Sequence, residues 1–149
     1  MVGIINFTIQ LQKMNFNKTT SYAMAVLSFM ANHDNETYSA KKLHELLEIP
    51  WPYLRQLLTT LSKSGFIYST QGRNGGFQLQ KPSNQIVLAE IIDSVEGLQV
   101  LSTCIMGLKK CPFNHACVMH DMWQETRENI LTVLNNTTLD QFIAKDKCS

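Results

Sequence analysis

Three of the four cysteines in this 149-residue chain, Cys104, Cys111 and Cys117, fall within one short stretch, and His120 follows the last of them. The spacing is C-x6-C-x5-C-x2-H. Thiolates and imidazole are the soft and borderline ligands that hold iron–sulfur clusters, zinc or Cu(I). Gly107, Lys109, Lys110 and Pro112 mark the segment around the first two cysteines as a loop. Cys117 and His120 stand at i and i+3 where a helical pattern begins, so both can face one point. Structural packing of buried thiols and thiol redox sensing use the same residue type and stay open on spacing alone. Zinc also stays open, although its structural sites favour tighter pairs. The longer gaps here suit a cluster, whose two irons spread the ligands over a wider arc. A disulfide framework is not expected. Residues 1–16 lack a charged start followed by a long apolar run, so the expectation is a cytoplasmic chain whose cysteines serve metal or redox chemistry.

The elements that must carry this segment begin with composition. The chain is 44% hydrophobic and 17% charged, enough for one domain with a proper core. No apolar run approaches the length of a membrane span, so no membrane partner is expected. The formal net charge of +1 conceals an asymmetry. Residues 17–85 carry seven Lys/Arg and four Asp/Glu, a balance of +3; residues 86–149 carry five and eight, a balance of −3. A basic first half suits a polyanion.

Residues 1–14 read as an N-terminal extension. The pattern then predicts a helix from about Thr20 to Asn32, capped by Thr19 or Thr20, with Tyr22, Ala23, Val26, Leu27 and Met30 on one face. Ser39 opens a second helix. After the break Glu48-Ile49-Pro50 a third runs from Pro52 to Ser64, burying Tyr53, Leu54, Leu57, Leu58 and Leu61. Two short helices joined by a tight break, with a third to pack on, form a helix-turn-helix. A strand at Phe66–Thr70, a glycine-rich turn and an alternating strand at Phe77–Lys81 add a β-hairpin. The fold class is therefore mainly α (α+β), a winged helix-turn-helix spanning residues 15–97. The exposed side of the third helix would enter the major groove of double-stranded DNA and the wing the minor groove. The candidate DNA-contacting residues are Ser39, Pro52, Tyr53, Arg55, Gln56, Thr59 and Lys63, with Gln71, Arg73 and Asn74 at the wing.

Residues 86–97 predict a fourth helix with Leu88, Ile91, Ile92 and Val95 on one face, and residues 98–120 form the cysteine segment. A long amphipathic helix follows from Val118 to Leu134, with Met119, Met122, Trp123, Thr126, Ile130, Val133 and Leu134 along one side. Its cheapest cover is the same helix of a second copy, and a homodimer matches a palindromic operator. A last short helix, capped by Thr137, completes the dimerisation region 118–145. Cys148 reads as a frayed end rather than a ligand.

These residues carry a family likeness. From about Asn15 to Phe142 the chain resembles the Rrf-two family of bacterial winged-helix transcription regulators. The likeness rests on Ser21-Tyr22-Ala23, Tyr53-Leu54-x-x-Leu57, Gly72-x-x-Gly75-Gly76-Phe77, the three cysteines, and the ending Asn135-Asn-Thr-Thr-Leu-Asp. It implies a dimer that regulates transcription according to the state of a [2Fe–2S] or [4Fe–4S] cluster. In the iron–sulfur regulator branch the fourth ligand falls on His120. In the nitric-oxide sensor branch it falls on Ser21, a poor ligand. The resemblance thus implies a [2Fe–2S] cluster on Cys104, Cys111, Cys117 and His120. The first cysteine gap is one residue longer than the family's usual gap, and Gln71 stands where a wing arginine often does.

Two other readings are carried forward. One is a cluster-free thiol or zinc regulator on the same fold. The other is an electron carrier or enzyme using a cluster. No Ser-His-Asp set, phosphate loop or paired carboxylates support catalysis, so no enzyme is expected. His33, His44 and His115 read as surface residues.

Overall fold

The computed structural model describes residues 16–33, 35–108, 110–114 and 116–145. The N-terminal extension 1–14, His115 and Cys148 lie outside them. The first helix, α1, spans Lys18–Asn32 and starts earlier than its apolar pattern because Asn17 caps it. The Asn17 side chain accepts from the Thr20 N–H at 3.0 Å. Thr20, an expected cap, is instead a buried helical residue whose hydroxyl donates to Glu96 Oε2 at 2.7 Å. The face Ala23, Val26, Leu27 and Met30 is buried as the spacing predicts, and Tyr22 is half-buried beside it.

Helix α2, Ala40–Leu47, is capped by Ser39, which accepts from the Lys42 N–H at 3.2 Å. Glu48, left-handed at φ 54°, turns the chain into α3, Trp51–Lys63. His44 fixes this turn. Its Nδ1 lies 2.6 Å from the Ile49 carbonyl and its ring meets Trp51 edge-on at 5.6 Å. His44 is thus a half-buried structural residue, not a surface one, whereas His33 is exposed. Leu54, Leu57, Leu58 and Leu61 bury the inner face of α3. Tyr53, expected in that stripe, is 61% exposed. The stripe centres opposite Gln56, which leaves Tyr53 on the flank, its ring 6.5 Å from that of Tyr22.

The wing pairs β1, Ile67–Thr70, with β2, Gly76–Leu79, antiparallel, with Ser69 opposite Phe77. Its anchor is Tyr38. The Tyr38 N–H donates to the Phe77 carbonyl at 3.1 Å, and the Phe77 N–H donates back at 2.8 Å. This pairing requires glycine at 76. A Cβ there would lie 2.6 Å from the Tyr38 carbonyl carbon and oxygen. At Gly75 a Cβ would meet the Thr70 carbonyl oxygen at 2.3 Å, so the Gly75-Gly76 pair lets the hairpin close and dock.

Helix α4, Leu88–Val95, buries Leu88, Ala89, Ile91 and Ile92 and ends at Gly97, whose φ is 84°. A 3-10 turn, Leu98–Leu101, leads into the cysteine segment. Helix α5 runs Val118–Asn136, two residues beyond its apolar pattern. Helix α6, Leu139–Lys145, returns to the winged unit, where Leu139 and Ile143 join the core beside α1. Backbone bonds from Leu88 N–H to the Thr137 carbonyl (3.0 Å) and from Leu139 N–H to the Ile86 carbonyl (2.8 Å) clip it there. Thr137 does not cap α6. Its hydroxyl bonds back to the Val133 carbonyl at 2.6 Å, and the Thr138 N–H donates to Gln141 Oε1 at 3.1 Å instead. Among the described residues no helix is long and apolar enough to cross a membrane.

Gly76→Ala is expected to lower unfolding stability by about 1–3 kcal/mol, as overpacking does. Amide exchange at Phe77 should accelerate at the same time. Unchanged stability and exchange would mean that the wing docks on Tyr38 without needing this close approach.

Candidate metal centre and nucleic-acid interface

The DNA-facing candidates are built on the outer side of α3. Pro52, Gln56, Thr59 and Lys63 recur four, three and four residues apart and form one exposed stripe opposite the leucines. Arg55 stands exposed on one flank, and Tyr53 on the other. Thr59 donates its hydroxyl to the Arg55 carbonyl at 3.0 Å, so it presents a methyl group and oxygen lone pairs outward. Pro52 leaves one fewer N–H to satisfy in the first turn of α3, which has no side-chain cap. Gln56 can pair with adenine and Arg55 with guanine or phosphate, by the geometry of their side chains. Ser39 is exposed at the start of α2, but its oxygen is engaged in capping. Gln71, Arg73 and Asn74 are all exposed at the wing turn, closed by Gly75 N–H to the Gly72 carbonyl at 3.0 Å. The wing and α3 thus offer exposed side chains of the types that read grooves and phosphates.

The cysteine segment folds as two tight turns. The Gly107 N–H donates to the Cys104 carbonyl at 2.8 Å, and the Ala116 N–H to the Phe113 carbonyl at 2.9 Å. Gly107 at φ 72° and Asn114 at φ 49° take the left-handed conformation these turns demand. Cys117 occupies the N-cap of α5, and the His120 N–H closes the first turn on its carbonyl at 3.0 Å. Cys104, Cys111, Cys117 and His120, all half-buried, line one cavity of about 340 Å³. Met106, Leu108, Phe113 and Trp123 supply apolar wall, and Arg127 and Gln124 supply polar wall. Among the described residues no three His, Cys, Asp or Glu side chains are gathered closely enough to ligate a single ion. The donor set is still the soft one: thiols and an imidazole on a common, largely apolar cavity.

Trp123 and Arg127 were not legible as part of this site. The Trp123 indole N–H donates to the Thr103 carbonyl at 2.7 Å, and Arg127 Nη1 donates to the Ser102 carbonyl at 3.2 Å. The long apolar side of α5 therefore divides. His120, Trp123, Arg127, Ile130, Leu131 and Leu134 are half-buried, with Leu134 packed on the core. Met119, Met122, Thr126 and Val133 are exposed, Met122 at 58% and Val133 at 63%.

A model of the Rrf2 (Rrf-two) family, described as an iron-dependent transcriptional regulator, matches residues 16–145. The chain belongs to the Rrf2 family. It is similar to the HTH-type transcriptional regulator IscR of Pectobacterium atrosepticum, 31% identical over 123 residues that cover 82% of this chain and 74% of the relative. It is also similar to the HTH-type transcriptional regulator NsrR of Oceanobacillus iheyensis, 29% identical over 136 residues covering 90% and 92%. Among solved structures it resembles CymR of B. subtilis, described as the global cysteine regulator. The TM-score is 0.71 at 22% identity, over 88% of this chain and 97% of that one. This likeness shows the fold: a winged helix-turn-helix with a two-stranded wing and a long C-terminal helix. This Rrf2 protein is a DNA-binding transcriptional regulator and not an enzyme.

Gln56→Ala should cost about 1–3 kcal/mol at one operator position and relax specificity there. Arg73→Ala should weaken binding across sequences and lower the salt slope by about 1. Fluorescence-anisotropy titrations at several salt concentrations measure both. A uniform loss for Gln56→Ala, with no change in base preference, would remove it from the reading face.

Proposed function

We propose that this Rrf2 regulator is a homodimeric sensor that holds an iron–sulfur cluster on Cys104, Cys111 and Cys117, with His120 as fourth ligand, and binds a palindromic operator according to the state of that cluster. The observation that carries the reading is the convergence of three half-buried thiols and one imidazole on a single cavity at the root of α5. A [2Fe–2S] cluster suits this set better than a single ion, since two irons spread their ligands and the thiols are not gathered around one point. A [4Fe–4S] cluster is the alternative on the same residues. When bound, the cluster supplies a redox- and ligand-sensitive centre. The protein's own part is to hold four donors across a loop and a helix start. His120, an imidazole among three thiols, is the weakest of the four donors, which suits a labile sensor. IscR and NsrR relatives of similar identity do not separate iron–sulfur, redox and nitric-oxide signals for this chain.

The cysteine segment joins α4 to α5, so ordering or freeing it changes how the winged unit is carried on α5. In a dimer this would shift two recognition helices set about 34 Å apart on the duplex, where a small rotation alters affinity. The exposed stripe Met119, Met122, Thr126 and Val133 is the surface that a second copy would cover. A second reading is a cluster-free thiol or zinc regulator; the absence of a gathered ligand triad among the described residues favours its thiol form.

Anaerobic purification decides between them. A brown protein with near-equal iron and sulfide, altered in spectrum and faster to bleach in His120→Ala, is expected. A colourless protein carrying zinc or no metal would leave the regulator and remove the cluster. Val133→Glu paired with Met122→Glu should yield monomers in sedimentation velocity and weaken binding to a palindromic site far more than to a half-site. A variant that sediments as a dimer would move the interface elsewhere.

A further inference from the structure

The residues holding the entrance of the cysteine segment are on the same helix that carries half of the proposed ligands. Cys117 stands at the N-cap of α5, and His120, Trp123 and Arg127 follow at intervals of three, three and four residues. That spacing sets them along one inner stripe. Two of the four donate hydrogen bonds to consecutive carbonyls: Trp123 to Thr103 at 2.7 Å and Arg127 to Ser102 at 3.2 Å. Ser102 is held from the other side as well. Its N–H and its hydroxyl both bond to the Gln99 carbonyl, at 2.9 and 2.7 Å. The peptide entering Cys104 is thereby fixed between the 3-10 turn and α5.

We propose that Trp123 and Arg127 are positioning residues, a two-point clamp that sets the distance between Cys104 and the pair Cys117 and His120. The clamp works through the backbone, so it needs no contact with the thiol itself. Both side chains also line the cavity that the three cysteines share. Trp123 adds apolar wall that excludes water, and Arg127 adds a positive charge facing a site that three thiolates would make anionic. A donor pair rigidly mounted on a helix fixes a ligand better than a free loop does, and groups of this supporting kind change metal retention on the order of 10–100-fold when removed. The clamp itself is visible in the hydrogen bonds; only its consequence for a cluster rests on the function proposed above.

The test separates those two parts. Metal-free, reduced full-length protein is labelled with N-ethylmaleimide, and Cys104 and Cys117 are followed separately by mass spectrometry. The comparison covers wild type, Trp123→Phe, Arg127→Met and Arg127→Lys. In Trp123→Phe and Arg127→Met, Cys104 should label several-fold faster than in wild type, while Cys117 stays unchanged. Arg127→Lys keeps a donor and should lie closer to wild type. Equal acceleration at both cysteines would indicate general loosening and overturn the proposal, as would unchanged labelling of Cys104 or an Arg127→Lys rate matching Arg127→Met. On protein reconstituted with iron and sulfide, the same two variants should lose their visible absorbance to a chelator faster, by roughly tenfold. If wild type takes up no iron and sulfide yet the labelling pattern holds, the cluster reading fails and the clamp on Cys104 stands.

Discussion

Burial of one face of α1 is the constraint on which the rest depends. Ala23, Val26 and Leu27 are fully enclosed, and Met30 nearly so. They are covered from several directions, by the leucines of α3, by α4 and by α6 returning from the far end of the chain. Each of those elements is short and could not persist alone, since isolated helices below about 12–15 residues are marginal in water. Packing on a common helix supplies what local propensity lacks. It also sets the angle at which α3 is held out, with its polar stripe toward solvent and its leucines against α1. The Glu96 carboxylate adds a polar lock, accepting from the Asn17 N–H at 3.1 Å and from the buried Thr20 hydroxyl at 2.7 Å. Bonds to a charged acceptor are worth roughly 1.5–3 kcal/mol each when they are shielded from water.

Helix α5 obeys a different rule. None of its nineteen residues is fully buried, so little apolar packing holds it to its own chain. What fixes its N-terminal half against the cysteine segment is a pair of directional bonds from Trp123 and Arg127. Hydrophobic burial is insensitive to small shifts, whereas a hydrogen bond weakens steeply with distance and angle. The winged unit is therefore held mainly by packing, and the N-terminal half of α5 by directional bonds.

How much could be read from the sequence follows from the range of the interactions involved. The helices, their order and the wing were legible because capping, apolar periodicity and glycine pairs act within a few residues; Ser39 and Gly75-Gly76 are examples. Cys117 and His120 can be seen to share one side of the start of α5 because they lie a helical turn apart; that Cys104 and Cys111 line the same cavity depends on the path of the loop, which has no local signal. Tyr53 was placed on the wrong side because an aromatic at the flank of a stripe fits either side of it. Thr20 carries the local signal of a cap, but its partner, Glu96, is 76 residues away. Trp123 sits in the same apolar stripe as Met122 and Val133. Periodicity gives the direction of a side chain but not whether its own chain or another covers it, so the indole bond to Thr103 had no local signal.

The placement of Glu96 bears on how a change in the cysteine segment would reach DNA. Gly97, with φ 84°, begins the path into that segment, and Glu96 immediately before it grips the start of α1. One turn further along α1, Tyr22 meets Tyr53 on the flank of α3, and Val95, Tyr22, Tyr53 and Gln56 line one small cleft. Gly97 thus adjoins the carboxylate that holds the start of α1, and α1 carries Tyr22, whose ring faces that of Tyr53 on α3 at 6.5 Å. Tyr53 and Gln56, which line that cleft, are also among the candidate DNA-facing residues. On the function proposed above, a cluster-dependent movement of the segment rooted one residue after Glu96 would have only this short path to the candidate DNA-facing side chains.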